Sequence, residues 1–163
     1  MKVALLINDR ESRAALARSI EAKGGRADEY PTAAKAAGMF GATRYDLILI
    51  HWQVYPGLKP SDPSLKELAA MIPVVSMNRN ILYWETALRV IDIIRMADSP
   101  NRTTPLMVIF PALGTSTFEA GDRLARESVE SDLADRQPAT VVTETLREEI
   151  IAIVEQQLTT AKT

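Results

Sequence analysis

Tyr45-Asp46-Leu47-Ile48-Leu49-Ile50-His51-Trp52-Gln53-Val54-Tyr55-Pro56-Gly57 is the stretch on which the reading of this chain turns. Leu47 to Ile50 are four consecutive aliphatic residues without the alternation of a half-exposed strand. They suit a central strand of a parallel sheet, covered on both faces. That strand delivers one polar side chain, His51, to its C-terminal end, and Pro56-Gly57 turns the chain away. Ligands and chemistry in open α/β sheets sit at that edge, so the residue presented there largely decides what the protein can do. His51 is the only histidine in the chain.

Outward from it, Val3 to Ile7 is a second unalternating run, closed by Asn8-Asp9. Arg10 to Lys23 reads as a helix with Ala14, Leu16, Ile20 and Ala22 apolar or small, stopped by Gly24-Gly25. Ala27 to Tyr30 is a short strand, and residues 32–40 form a helix with Thr32 as N-cap. After Gly57 the pattern becomes irregular. Leu58-Lys59-Pro60-Ser61-Asp62-Pro63 is a loop held by its prolines, and Ser64 to Met71 a short helix. Ile72 to Met77 reads either as a short strand or as an extended loop, Pro73 weighing against an interior strand.

Asn80 to Ala97 predicts a helix of ~27 Å, with Leu82, Leu88, Ile91, Ile94 and Met96 apolar. Leu106 to Phe110 predicts a strand. Thr117 to Ala134 predicts a charged helix with Phe118, Leu124 and Val129 inward. Ala139 to Val142 closes the strands, and a helix from Thr145 to about Leu158 carries an apolar stripe of Leu146, Ile150, Ile153 and Val154. Such alternation implies βαβ units with right-handed crossovers. The expected fold is α/β: a doubly wound parallel sheet of five strands, six if 72–77 is one, with helices on both faces. One domain spans 1–158, and residues 159–163 are expected to be a flexible tail.

Composition narrows the function. A chain of 163 residues is one domain burying roughly two-thirds of its unfolded surface. A net charge of -2 and the lack of any Lys/Arg block leave no footprint for nucleic acid. The absence of cysteine excludes disulfides, thiolate chemistry and Cys-based metal sites, and a single histidine excludes a multi-histidine zinc site within one chain. The apolar N-terminus ends at Asn8-Asp9-Arg10, too short for a signal-peptide core plus cleavage site, and no stretch approaches the ~20 apolar residues of a membrane span. A cytoplasmic protein without membrane contact is expected. Neither a glycine-rich phosphate loop nor a Gly-x-Ser-x-Gly elbow is present, Gly114-Thr115-Ser116 being only a loop, so nucleotide binding and serine hydrolysis are unsupported and no cofactor is expected.

The order strand-Asn8-Asp9-helix, then Tyr45 to His51 with Pro56-Gly57, resembles a response-regulator receiver domain of two-component signalling. So does the later run Ala87-Leu88-Arg89-Val90-Ile91-Asp92-Ile93-Ile94-Arg95 before Asp98-Ser99-Pro100-Asn101-Arg102-Thr103-Thr104-Pro105-Leu106-Met107-Val108-Ile109. The resemblance covers most of the chain except about 58–79, which would be an insertion, and implies a flavodoxin-like topology. In that family a histidine kinase passes a phosphoryl group to an aspartate ending the third strand. A Mg²⁺ held by that aspartate and an acidic pair after the first strand assists. Position by position this sequence departs. The acidic pair is Asn8-Asp9, the phosphoacceptor position holds His51, the switch Ser/Thr falls at Phe110 or Pro111, and the lysine falls near Thr143.

One carboxylate beside an imidazole is a poor site for a hard cation, and without lysine and metal little stabilises a transferring phosphoryl group. The resemblance therefore implies a pseudo-receiver without the phosphoacceptor Asp: a non-enzymatic signalling or assembly module, a homodimer or part of a signalling complex, with residues 52–84 as its specific element. A second class is a small α/β enzyme or small-molecule sensor using the crevice around Asn8, Asp9, His51 and Asn78. A third is phosphorylation of His51 itself, for which the site offers few donors.

Individual residues keep alternatives open. His51 is either a ligand-binding or proton-transfer residue, or a partly buried histidine bonded to Asp9 or Asn8; it could titrate near neutral pH as a switch. Asp9 is a surviving weak cation site or a helix N-terminal residue favoured by the dipole. Trp52, Tyr55, Tyr83 and Trp84 form a partner-binding surface, or else pack under the inserted segment. In receivers the surface of the fourth helix, fifth strand and fifth helix mediates dimers, which here involves the helices from Thr117 and Thr145.

Overall fold

Aliphatic runs with no exposed face must lie between layers, and the two such runs pair side by side. The structure is a computed structural model that describes residues 1–57, 79–111, 119–144, 151–152, 154–156 and 159. Its elements are β1 (Lys2–Leu6), α1 (Arg10–Ala22), β2 (Arg26–Tyr30), α2 (Ala33–Ala42), β3 (Leu47–His51), α3 (Arg79–Arg95), β4 (Leu106–Pro111), α4 (Glu119–Leu133) and β5 (Ala139–Glu144). The sheet order is β2-β1-β3-β4-β5, and every neighbouring pair is parallel. This is the doubly wound, flavodoxin-like order, whose winding reverses between β1 and β3.

Alternate residues of each strand feed opposite layers. Ala4, Leu6, Ile48, Ile50, Val108 and Phe110 face α2, α3 and α4, where Phe40, Ile91, Ile94, Val129 and Leu133 complete one core. Val3, Leu5, Leu47, Leu49, Met107 and Ile109 face α1, where Leu16, Ala17 and Ile20 complete the other together with Val154. Five strands are present among the described residues. The helix at 64–71, the possible strand at 72–77 and Asn78 fall outside those residues, as do Phe118, Leu146, Ile150 and Ile153.

Element ends differ from the sequence expectation by one or two residues. α3 stops at Arg95 rather than Ala97, and β4 and β5 run on to Pro111 and Glu144. The helix end has a physical cause. The Arg95 guanidinium donates five hydrogen bonds to the carbonyls of Asn101, Arg102, Thr104, Arg136 and Pro138, so it gathers the loops that follow α3 and α4. Burial holds this guanidinium below its ordinary pKa. Thr32 occupies the N-cap position of α2, yet its side chain makes no capping bond. The N–H groups of Ala33 and Ala34 donate instead to the carbonyls of Tyr55 and Pro56, at 2.9 and 3.0 Å.

A second knot joins α2 to the start of β3. The fully buried Asn101 accepts from Tyr45 N–H at 2.8 Å and donates to the carbonyls of Phe40 and Thr43, both at 2.7 Å. Thr104 Oγ1 donates to the Tyr45 carbonyl at 2.9 Å. Beside it, Lys2 Nζ and Tyr45 OH both contact Asp28 Oδ2 at 3.1 Å. Because the single hydroxyl proton of Tyr45 goes to Asp28, Tyr30 OH donates to Tyr45 OH at 2.6 Å. An inward-pointing charge on edge strand β2 also discourages pairing with another chain.

Asn101→Ala strands three backbone groups in the interior. Each buried unsatisfied group costs about 1–3 kcal/mol, so denaturant unfolding should show a loss of about 3 kcal/mol or more. Asn101→Asp, which cannot donate, should not restore it. Burial alone would raise the Asp28 carboxyl, but the Lys2 ammonium and the Tyr45 hydroxyl outweigh it and hold the group below its ordinary pKa. A depressed folded pKa contributes stability above the unfolded value that disappears as pH falls through the folded one. Asp28→Asn should therefore flatten the acid limb of a stability–pH profile, below about pH 4, and leave its shape at neutral pH unchanged.

Candidate functional site

The winding reversal between β1 and β3 leaves a crevice outside their C-terminal ends. β1 contributes Asn8 and Asp9 just beyond its end, and β3 contributes His51. Together with Arg10, Gln53 and Tyr55 these residues line a hollow of about 410 Å³. A second hollow of about 530 Å³ adjoins it across Arg10, lined also by Glu11, Ala14 and Arg18.

Backbone bonds fix the walls. Beyond β3, Trp52 N–H continues the pairing to the Ile109 carbonyl at 2.9 Å, and Val54 N–H reaches the Tyr83 carbonyl at 3.3 Å. The Asn8 amide bridges the two loops, donating from Nδ2 to the Gln53 carbonyl and accepting from Tyr55 N–H at 3.0 Å. Asp9 caps α1 through Ser12 N–H at 2.7 Å, so the expected helix N-terminal role is present. Arg13 steadies the β1–α1 turn by donating to the carbonyls of Ile7 and Asn8 at 2.6 and 3.1 Å, with Glu29 at 3.2 Å on its Nε.

His51 is half-buried, and its Nδ1 lies 3.2 Å from Gln53 N and 3.3 Å from Gln53 O. With the proton on Nε2, Nδ1 accepts from the Gln53 N–H. Asn8, expected as a possible imidazole partner, is instead committed to the backbone of Gln53 and Tyr55.

Of the residues singled out for the pocket, Asn8, Asp9 and His51 come together. Phe110 does not join them. His51 pairs with Ile109 in the sheet register, and the next residue of a strand points to the opposite face. Phe110 is thus buried in the core beneath α2 and α3, its ring 4.7 Å from that of Trp52. Thr143 is the register partner of Phe110 on β5, and its side chain lies outside the described residues.

The four aromatics also separate. Trp84 is buried and donates from Nε1 to Asp132 at 2.8 Å, pinning α3 to α4. Trp52 packs against the core, and its buried Nε1 has no hydrogen-bond partner. Of the four only Tyr55 is exposed, at 49%, with its ring 4.8 Å from that of the partly buried Tyr83.

The acidic cluster that would hold a divalent cation in a receiver does not exist in this form. Asn8 offers a neutral amide already bonded at both ends, Asp9 is the helix cap, and His51 presents an imidazole. These donors do not fit Mg²⁺, which takes carboxylate oxygens. Among the described residues no group of three or more His, Asp or Glu side chains is placed to hold a metal ion, and no helix is long and apolar enough to cross a membrane.

Gln53, Arg13 and the Gly57–Thr32 contact were not singled out by the sequence. Gly57, within the Pro-Gly turn, has φ of +71° and a Cβ there would collide with the Thr32 side chain. Arg13 carries no sequence signal, since an arginine in the first turn of a charged helix reads as a solvated residue.

No protein-family model and no curated relative matches the chain. Solved structures do match it. The receiver domain of Francisella response regulator 1452 is 16% identical over 98% of both chains, with a TM-score of 0.57. The receiver domain of the sensor histidine kinase PA1611 from Pseudomonas aeruginosa, which holds a magnesium ion in its active-site cleft, is 16% identical over 96% of this chain and 95% of its own, at 0.56. A streptococcal redox sensor from a family evolved from two-component response regulators is 15% identical, at 0.60. The chain covers 52% of that protein's length. At these identities the likeness establishes a receiver-like fold.

Gly57→Ala meets two obstacles, a left-handed backbone and the Thr32 side chain. The first alone costs about 1–2 kcal/mol. Thermal or denaturant unfolding should show at least that loss, and Gly24→Ala, with φ of +79° but open space, should show a smaller one.

Proposed function

We propose that this chain is a pseudo-receiver: a non-enzymatic signalling or assembly module that works without phosphorylation of an aspartate. The observation that carries the reading is the Asn8 amide, bonded to Gln53 and Tyr55 where a receiver keeps a metal-binding carboxylate. His51 at the phosphoacceptor position supports it. A metaphosphate-like transition state needs cations around its oxygens, and among the described residues lining the crevice Arg10 is the one cationic side chain. The receiver-like fold supports a role in two-component signalling or a phosphorelay, and the printed description of the streptococcal neighbour is of a sensor descended from response regulators. This chain has no cysteine, so thiol-based redox sensing is not the route here.

The module acts in the cytoplasm by presenting a surface to a protein partner, as a homodimer or within a signalling complex. The exposed Tyr55, backed by the partly buried Tyr83, is the accessible part of its recognition element, since aromatic residues are common anchors of protein contacts.

Incubation of the full chain with a small phosphodonor and Mg²⁺, followed by intact-mass measurement, should give no phosphate adduct. An adduct would overturn the reading. A thermal shift produced by small metabolites, but not by the phosphodonor, would replace it with a small-molecule sensor working through the same crevice.

A further inference from the structure

We propose that protonation of His51 switches the segment 52–57, by exchanging a bond accepted from the Gln53 N–H for one donated to the Gln53 carbonyl. The inference rests on the pseudo-receiver reading only in assigning the crevice a regulatory rather than a phosphoryl-transfer role.

The geometry places both partners within reach of one atom. Nδ1 of His51 is 3.2 Å from Gln53 N and 3.3 Å from Gln53 O. A neutral imidazole carrying its proton on Nε2 accepts at Nδ1, and the Gln53 N–H supplies the bond. A charged imidazole has only donors. On protonation that bond must break, and the new Nδ1–H faces the carbonyl 3.3 Å away.

The Gln53 carbonyl is also the acceptor of Asn8 Nδ2, and the same Asn8 amide accepts from Tyr55 N–H. The Tyr55 carbonyl in turn receives the first N–H of α2, from Ala33. A change of charge at one ring nitrogen therefore acts on a chain of bonds from β3 through Asn8 to Tyr55 and the start of α2. Its far end is the Tyr55 ring, half exposed against Tyr83. The switch couples the crevice to the surface offered to a partner.

The charged groups facing the imidazole act in opposite senses. Asp9 and Arg10, at the start of α1, line the same crevice, the carboxylate favouring the charged ring and the guanidinium opposing it. Among the described residues lining the crevice, the other titratable group is Tyr55, on the segment itself. β4 offers uncharged Ile109 at the register position of His51. An imidazole ordinarily changes charge between about pH 5 and 8, which sets the range over which the exchange is tested.

Because His51 is the only histidine, its ring can be followed without assignment ambiguity. The test is a ¹⁵N NMR titration of the full chain from pH 8 to 5, recording the imidazole nitrogens and the backbone amides together. The expected result is one shared midpoint for the imidazole and for the amides of Gln53, Tyr55 and Ala33, with those amide shifts lost in His51→Gln. An imidazole that titrates while these amides stay still would overturn the proposal. So would one that keeps a single protonation state throughout, or amide shifts that survive in a folded His51→Gln. Should that variant not fold, the shared or unshared midpoint in the unmodified chain decides alone. A phosphate adduct in the earlier assay would refute the pseudo-receiver reading without touching this titration, and a flat titration would do the reverse.

Discussion

The segment from Trp52 to Gly57 is the constraint on which the upper face of the molecule depends. It has little regular structure of its own, yet hydrogen bonds to several elements tie it to its surroundings. Trp52 and Val54 donate to Ile109 and Tyr83, Gln53 and Tyr55 hold the two ends of the Asn8 amide, and Tyr55 and Pro56 receive Ala33 and Ala34. β4, α3, the β1–α1 turn and the start of α2 therefore meet on one short stretch of backbone. A single such bond contributes on the order of 1 kcal/mol net, but each buried group left unmade costs more. The segment behaves as a unit for that reason, and Gly57 is its strict point, since no other residue combines φ of +71° with contact on Thr32.

Much of the scaffold was legible in the sequence because the physics behind it is local. Unalternating aliphatic runs are buried on both sides wherever they occur, so β1, β3 and β4 could be read directly, and Gly24-Gly25 marked the end of α1 without knowledge of the sheet. His51 at the end of β3 was read from the strand pattern, and its place beside Asn8-Asp9 from the resemblance to a receiver. The bonds that shape the crevice were not legible. Asn8 joins residues 45 and 47 positions away, and Asn101 joins Tyr45 across 56. Nothing in a linear pattern distinguishes such an asparagine from one in an ordinary turn.

The misplaced side chains share a cause. Phe110 was grouped with the pocket because it ends its strand, but position at a strand end does not say which face a side chain takes. The pleat decides that, and one residue of offset sends Phe110 into the core with Trp52. Trp84 was read either as part of a partner-binding surface or as packed under the inserted segment. Its helix turns it inward, and its polar Nε1 can be buried only because Asp132 on α4 accepts it. Thr32 was given a capping role on the strength of residue type, whereas carbonyls from a distant loop satisfy α2.

The exchange of carboxylate for amide at Asn8 changes what the crevice can do as well as what it lacks. Clustered carboxylates repel one another and hold together only with a cation or at a cost in stability, which is the usual tension between a reactive site and a stable one. An amide carries no charge, and it both donates and accepts. Asn8 uses both capacities to bridge the loops that a metal ion and its ligands would otherwise join. Aspartate at this position could accept from Tyr55 N–H but could not donate to the Gln53 carbonyl. The closed arrangement of the two loops is thus a property of the neutral side chain itself, and it needs neither cation nor phosphoryl group to persist. Beside this bridge lies the imidazole of His51, whose ring sits against the same Gln53 backbone that Asn8 holds.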